Sequence, residues 1–370
     1  MERNFWIDLI RVTAILLVIA SHVCGRIAGG YGVPECASTL GWAGWLAESI
    51  NSAVWIVPVP LFVMISGALL LGRSETVFAF YQKRFGKILL PFVAWSTIFV
   101  LCLWIAGRTF KDGTPITVMN SIGAFLSGGI SGHFWFMYML ISLYLVTPFL
   151  SVFIRNAPKS MLNYFLILWF IGIVLFPVIN RIARETFGIS GISEDFRFEI
   201  VSLWVGFFVA GYVFKDIVIS KRFALILLAV WGLLSIVAPV SNLLQQNVTS
   251  DSPVASSLMF MRMYIFPIIL HQITLSLIAF FALRSLGDIP ALAYSRFGRI
   301  ITIMAPLTFG IYLSHHLILT PSMEILKLGA SDSWILVLFA IPVLTIFFYF
   351  ATAVGIYLLR LNKHLRSLSP

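Results

Sequence analysis

Long apolar runs broken by short polar stretches repeat from one end of the chain to the other. They fall near residues 5–23, 50–71, 88–106, 134–154, 161–180, 198–214, 223–243, 257–282, 301–320 and 334–358. Each approaches the roughly 20 residues that a helix needs to cross a bilayer. Inside hydrocarbon every backbone amide must find its partner within the chain, so runs of this kind predict helices. The pattern predicts an all-α polytopic membrane protein of about ten transmembrane helices. It also predicts one domain over 1–370, with no appended soluble domain.

The first run departs from the pattern in an informative way. FWIDLIRVTAILLVIASH, Phe5 to His22, carries Asp8, Arg11 and His22 among apolar neighbours. Ionisable residues at membrane depth are costly and mark function more often than packing. On a helix, Arg11 and His22 differ by about 20° of azimuth and roughly 16 Å of rise. They therefore share one face and lie near opposite ends of the span. Asp8 stands one turn before Arg11, at the i,i+3 spacing that lets the two charges offset each other. The competing reading has Arg11 snorkelling to headgroups and His22 capping the helix. The shared face favours function. The run is not a cleavable leader, because it holds Asp8 and Arg11 and lacks a small-residue cleavage site.

Composition narrows the class further. The 370 residues are 60% hydrophobic and 11% charged, which excludes an ordinary soluble domain. The net charge of +10 does not imply nucleic-acid binding, because the basic residues sit in the loops between runs. Their distribution gives an orientation. Arg3, Arg73, Lys83, Arg84, Lys87, Arg155, Lys221, Arg222, Arg296, Arg299, Arg360 and Lys363 fall on one side. The other side holds far fewer. This places both termini in the cytoplasm. Three long loops, 24–49, 107–133 and 181–197, then lie on the outer side, where they can shape a binding mouth. They offer Trp42, Trp45, Glu194 and Asp195. Cys24 and Cys36 share one of them and could pair in an oxidising compartment.

Orientation sorts the polar residues by depth. Ser66-Gly67 falls near the inner end of the second run, where small residues admit a ligand or a second helix. Arg84 and Lys87 share a face just before the third run. With Arg11 they could hold a polyanion such as a nucleotide phosphate, or simply contact anionic lipid. On the outer side, His133 opens the fourth run beside Trp135, and His315-His316 falls in the ninth. Adjacent helical residues point about 100° apart, so at most one of His315 and His316 is expected to face the interior. No HExxH is present, and the histidines lie on separate helices without carboxylate or thiolate companions, so no metal is expected. No G-x-S-x-G nucleophile elbow appears either.

These residues resemble a known family. Arg11 and His22 are similar to the R-x10-H signature in the first helix of the acyltransferase 3 family of integral-membrane O-acyltransferases. Ile7 to Arg11 resembles its I-D-x-x-R opening, and Phe62 to Gly67 its F-x-x-S-G segment. Lys83 to Pro91 resembles K-R-x-x-R-I-x-x-P, with Lys87 in place of an arginine, which keeps the charge and loses the bidentate fork. His133 to Phe136 and Gly310 to His315 are similar to H-x-W-F and G-I-Y-L-x-H.

The resemblance implies transfer of an acyl group, commonly acetyl, from cytoplasmic acyl-CoA to a hydroxyl of a lipid-linked or surface polysaccharide, as in exopolysaccharide biosynthesis. It implies a bacterial plasma (inner) membrane location, stand-alone architecture, no metal, and partners limited to lipid bilayer, donor and glycan acceptor, with an oligomer permitted. It places His22 as base or acyl carrier, with Arg11, His133 and His315 as further catalytic residues. Arg84, Lys87, Ser66 and Gly67 would hold the donor; Trp135, Glu194 and Asp195 would hold the acceptor. The rival readings are a transporter or flippase of a glycan or anion, and a non-catalytic export subunit. No inverted repeat of broken helices supports transport.

Overall fold

The computed structural model describes residues 4–27, 55–188, 203–246, 268–325 and 334–369. Glu194, Asp195, Trp42, Trp45 and Cys36 lie outside the described residues. The described chain is helical, with no strand. Helix α1 is Phe5–Ile27, α2 Pro58–Leu70, α3 Val77–Ile105 and α4 Val118–Ser127. A 3-10 turn, Gly132–Phe134, leads into α5, Trp135–Asn156. Helices α6, Lys159–Phe170, and α7, Phe176–Phe187, are joined by a π-helical turn at Ile171–Leu175. Then come α8 Leu203–Phe214, α9 Lys221–Gln246, α10 Ile268–Leu286, α11 Arg296–Met304, α12 Thr308–Ile325 and α13 Trp334–Leu361.

By length and composition, six described helical stretches can cross a membrane: Phe5–Ile27, Val77–Ile105, Gly132–Asn156, Lys159–Asn180, Arg296–Ile325 and Phe339–Leu361. Pro58–Leu70, Val118–Ser127, Leu203–Phe214 and Leu270–Leu286 are apolar but shorter. Each of the predicted runs contains a helix. The bounds differ most at α3, which begins at Val77 rather than near 88 and so takes the Lys83–Lys87 basic segment into the helix. Thr76 caps its start, its hydroxyl accepting from the Ala79 amide at 3.2 Å. The expected loop 107–133 holds the amphipathic α4, capped by Thr117 and closed by left-handed Gly128.

Helix α1 is the hub. It packs against α2, α10, α11, α12 and α13. Ile10, Ala14, Ile15, Ile19 and Val23 are fully buried along it. This burial on most sides explains why the run is apolar almost all round, as a helix without a lipid or water face must be. Helices α2 and α8 approach most closely. A Cβ on Gly67 would run into the Phe208 carbonyl, and one on Gly211 into the Met64 carbonyl. Small residues at a membrane helix interface let backbones meet in this way. Of the two neighbours expected at Gly67, a ligand or a second helix, the structure shows the helix, α8.

The end of the chain returns to the bundle. The Trp95 indole donates to the Leu368 carbonyl at 3.0 Å, and Ser369 is fully buried against Gly310. Near the start of α1, the Arg284 guanidinium lies 4.9 Å from the Trp6 ring centre, pairs with Asp288 at 3.1 Å, and donates to the Lys215 carbonyl. This fastens α10 to the start of α1.

Candidate active site

Helix α1 carries a polar cluster at each end. At the His22 end, three separate elements deliver four imidazoles. His22 comes from α1, His133 from the turn before α5, and His315 and His316 from α12. The His22 ring centre is 5.2 Å from that of His315 and 4.3 Å from that of His316. His133 stacks on His316 at 4.4 Å, with the planes 6° apart, and meets His315 at 5.0 Å. His133 and His315 are buried.

The expectation that only one of His315 and His316 faces inward is corrected. A 100° divergence separates their Cβ directions, but their ring centres lie 4.8 Å apart and the His22 ring from the facing helix meets both. His316 therefore belongs to the cluster that sequence reasoning assigned to His22, His133 and His315. Two residues in succession was the signal. Only the position of α1 shows that both rings are used.

Each α12 ring is oriented by its own helix or a near neighbour. His315 Nδ1 lies 2.7 Å from the Tyr312 carbonyl and 3.1 Å from that of Ile311. Carbonyls only accept, so Nδ1 carries the proton and Nε2 presents a lone pair. His316 Nδ1 lies 3.3 Å from Thr320 Oγ1, which also accepts from Arg26 Nη2 at 3.4 Å. His133 Nδ1 lies 2.8 Å from Ser131 Oγ, and the Tyr312 hydroxyl donates to the His133 carbonyl, tying the turn to α12. Among the described residues, the buried Nε2 atoms of His133, His315 and His316 have no hydrogen-bond partner. Buried polar atoms left open at one place cost stability and identify a site built for something else. The ring nitrogens of His22, His315 and His316 lie within 4.8 Å of one another, so these three could also hold a metal ion.

At the Arg11 end the charges are paired. Arg11 meets Asp8 at 4.0 Å, its side chain 37% exposed and that of Asp8 only 6%. Arg11 stands at the end of α1 opposite the imidazoles, as its spacing from His22 predicts. Tyr144 of α5 is near Ser66 and lies within electrostatic reach of both Arg11 and Arg84. Ser66 also donates to the Phe62 carbonyl at 2.8 Å. Arg84 pairs with Glu75 at 3.5 Å and lies 5.4 Å from the Phe80 ring centre, while Lys83 reaches the same carboxylate at 3.4 Å. Lys87 is exposed. Arg11, Ser66 and Arg84 are thus drawn together through a tyrosine that no sequence pattern singled out. Glu75 was missed for the same reason: its role depends on the turn between α2 and α3 folding back on α3.

Trp135 is 46% exposed and faces Trp204 at 5.6 Å between ring centres. This gives a flat aromatic pair at the same end of α5 as His133.

A family model described as an acyltransferase domain matches residues 4–360, essentially the whole chain. No curated protein and no solved structure matches it.

Proposed function

The chain belongs to the acyltransferase 3 family, and from that premise we propose that it transfers an acyl group, commonly acetyl, from cytoplasmic acyl-CoA to a hydroxyl of a lipid-linked or surface glycan. The observation that carries this reading is the convergence of His22, His133, His315 and His316 at one end of α1. A sugar hydroxyl is a poor nucleophile until its proton is taken, and imidazole is the side chain best suited to take it near neutral pH. In this mechanism His22 accepts the hydroxyl proton as the oxygen attacks the thioester carbonyl. The C–S bond then breaks, the ester forms, and the thiolate of CoA takes up a proton. The neighbouring imidazoles orient His22 and support charge developing on the carbonyl oxygen.

The donor end follows from charge. CoA carries several phosphates, and Arg11, Lys83, Arg84 and Lys87 collect cations at the opposite end of α1. The roughly 16 Å of helix between Arg11 and His22 is then bridged by the pantetheine arm, which brings the thioester up from the cytoplasmic side. Trp135 and Trp204 offer ring faces to the sugar, with Glu194 and Asp195 supplying acceptors for its hydroxyls. The bacterial plasma membrane is the compartment this reading requires.

The test uses purified protein in detergent with acetyl-CoA, a glycan acceptor and a thiol reagent. Acceptor-dependent release of CoA thiol is expected, with His22→Gln folding normally, still binding CoA and losing at least ~100-fold in turnover. Movement of glycan across vesicles without thiol release would instead identify a transporter.

A further inference from the structure

Two of the open Nε2 atoms, those of His315 and His316, have a second use that acyl transfer does not require. A histidine that ligates a metal through one ring nitrogen almost always donates the other N–H to a carbonyl, a carboxylate or a hydroxyl. His315 meets that description completely: its Nδ1–H is fixed on the Tyr312 and Ile311 carbonyls, and its Nε2 is buried and open. At His316 the partner of Nδ1 is the Thr320 hydroxyl, 3.3 Å away. That hydroxyl has two lone pairs and can accept both the Arg26 and the His316 N–H, leaving His316 Nε2 as a lone pair. His22 supplies a third ring nitrogen, all three within 4.8 Å.

We propose that His22, His315 and His316 form a binding site for a borderline transition-metal cation of the Zn2+, Co2+ or Cu2+ type, and that its occupancy and acyl transfer exclude each other. Three neutral imidazoles are the preferred donors for such ions, and three ligands with an open fourth position is a recurrent arrangement. Nitrogens bound at ~2.0–2.1 Å on a tetrahedral ion stand about 3.3 Å apart. Closing from 4.8 Å takes a shift of under about 1 Å per ring, within reach of a small χ2 rotation. The separation of these histidines in sequence, which argued against a metal, is removed by the packing of α12 on α1. The ion completes its shell with water or an anion. The exclusion rests on the proposed role of His22, since a nitrogen that holds a metal cannot take a proton. The binding itself does not depend on that role.

The test is titration with Co2+ of the full chain in detergent, freed of metal with chelator and carrying no polyhistidine tag. One equivalent per chain is expected, with the intense visible bands of tetrahedral nitrogen coordination. His316→Gln should weaken binding at least tenfold. Thr320→Val, which leaves every proposed ligand in place, should weaken it by about 10- to 100-fold, as loss of an outer-shell partner does; it guards against a His316 variant that fails to fold. Cys24→Ser should leave the spectrum unchanged, since sulfur is not a ligand here. Absence of a stoichiometric site, or equal affinity in wild type, His316→Gln and Thr320→Val, would overturn the proposal. Transfer should fall in proportion to occupancy; transfer that rises or stays level with the site filled overturns the exclusion. A filled site in a protein that transfers nothing under any condition would leave the metal site standing and remove the acyltransferase reading.

Discussion

Replacing Glu75 by glutamine should tighten the binding of CoA. Its carboxylate sits on both Lys83 and Arg84, so an incoming phosphate must displace it and meets its charge. The gain expected is about two- to fivefold, the scale of a partly exposed ion pair worth up to ~1 kcal/mol, read by calorimetry in detergent. Arg84→Ala should act oppositely, raising KM for acyl-CoA more than it lowers kcat, because it removes binding common to ground and transition states. If neither change moved CoA affinity, the basic segment would serve orientation in the membrane alone. Residue by residue, the sequence made His22, His133, His315, Arg11, Ser66 and Arg84 legible because each is an ionisable or polar group in an apolar setting, a signal visible without any fold. His316, Tyr144 and Glu75 were not legible. A helical wheel treats α12 alone and cannot see a ring arriving from α1. A tyrosine in a membrane helix looks like packing until it is found beside Arg11 and Arg84.

Among the elements, the contact between α2 and α8 is the most exacting. Gly67→Ala and Gly211→Ala should each destabilise by about 1–3 kcal/mol, the usual cost of forcing atoms into a packed interface, with a lower thermal midpoint in detergent. Gly123→Ala in α4 is the comparison: no atom lies within 4 Å of the Cβ it would add, so stability should hold or rise slightly through better helix propensity. An equal loss at all three would mean that α2 and α8 are not in close contact. The existence and order of the helices could be read from the apolar runs, because burial in lipid or protein demands them. Their lengths could not. The start of α3 at Val77 depends on the Thr76 cap and on Glu75 neutralising charge in its first turns, and α4 is too short and amphipathic to register as a run. The pattern also gave Ser66-Gly67 as one unit, which the structure divides: Ser66 donates to the Phe62 carbonyl of its own helix while Gly67 receives the backbone of α8.

For the molecule as a whole, the distribution of Lys and Arg predicts that both termini face the cytoplasm. A green fluorescent protein fused after Arg360 should fluoresce, and alkaline phosphatase at the same point should be inactive; the reverse would invert the assignment of the two ends of α1. The central place of α1 also has a consequence in time. Helix α1 is synthesised well before the partner that completes its far end, α12: Arg26 and Thr320 are 294 residues apart. At 5–20 residues per second, roughly 15–60 s of translation separate them. During that interval α1 waits in or beside the bilayer without the groups that will enclose it. Among the described residues, a charge compensation that it brings along is internal, the Asp8–Arg11 pair one turn apart. That pair therefore acts before any substrate exists, as a pass that lets α1 enter the membrane ahead of α12. Asp8→Ala should lower the amount of protein inserted well before it alters what the inserted protein can do.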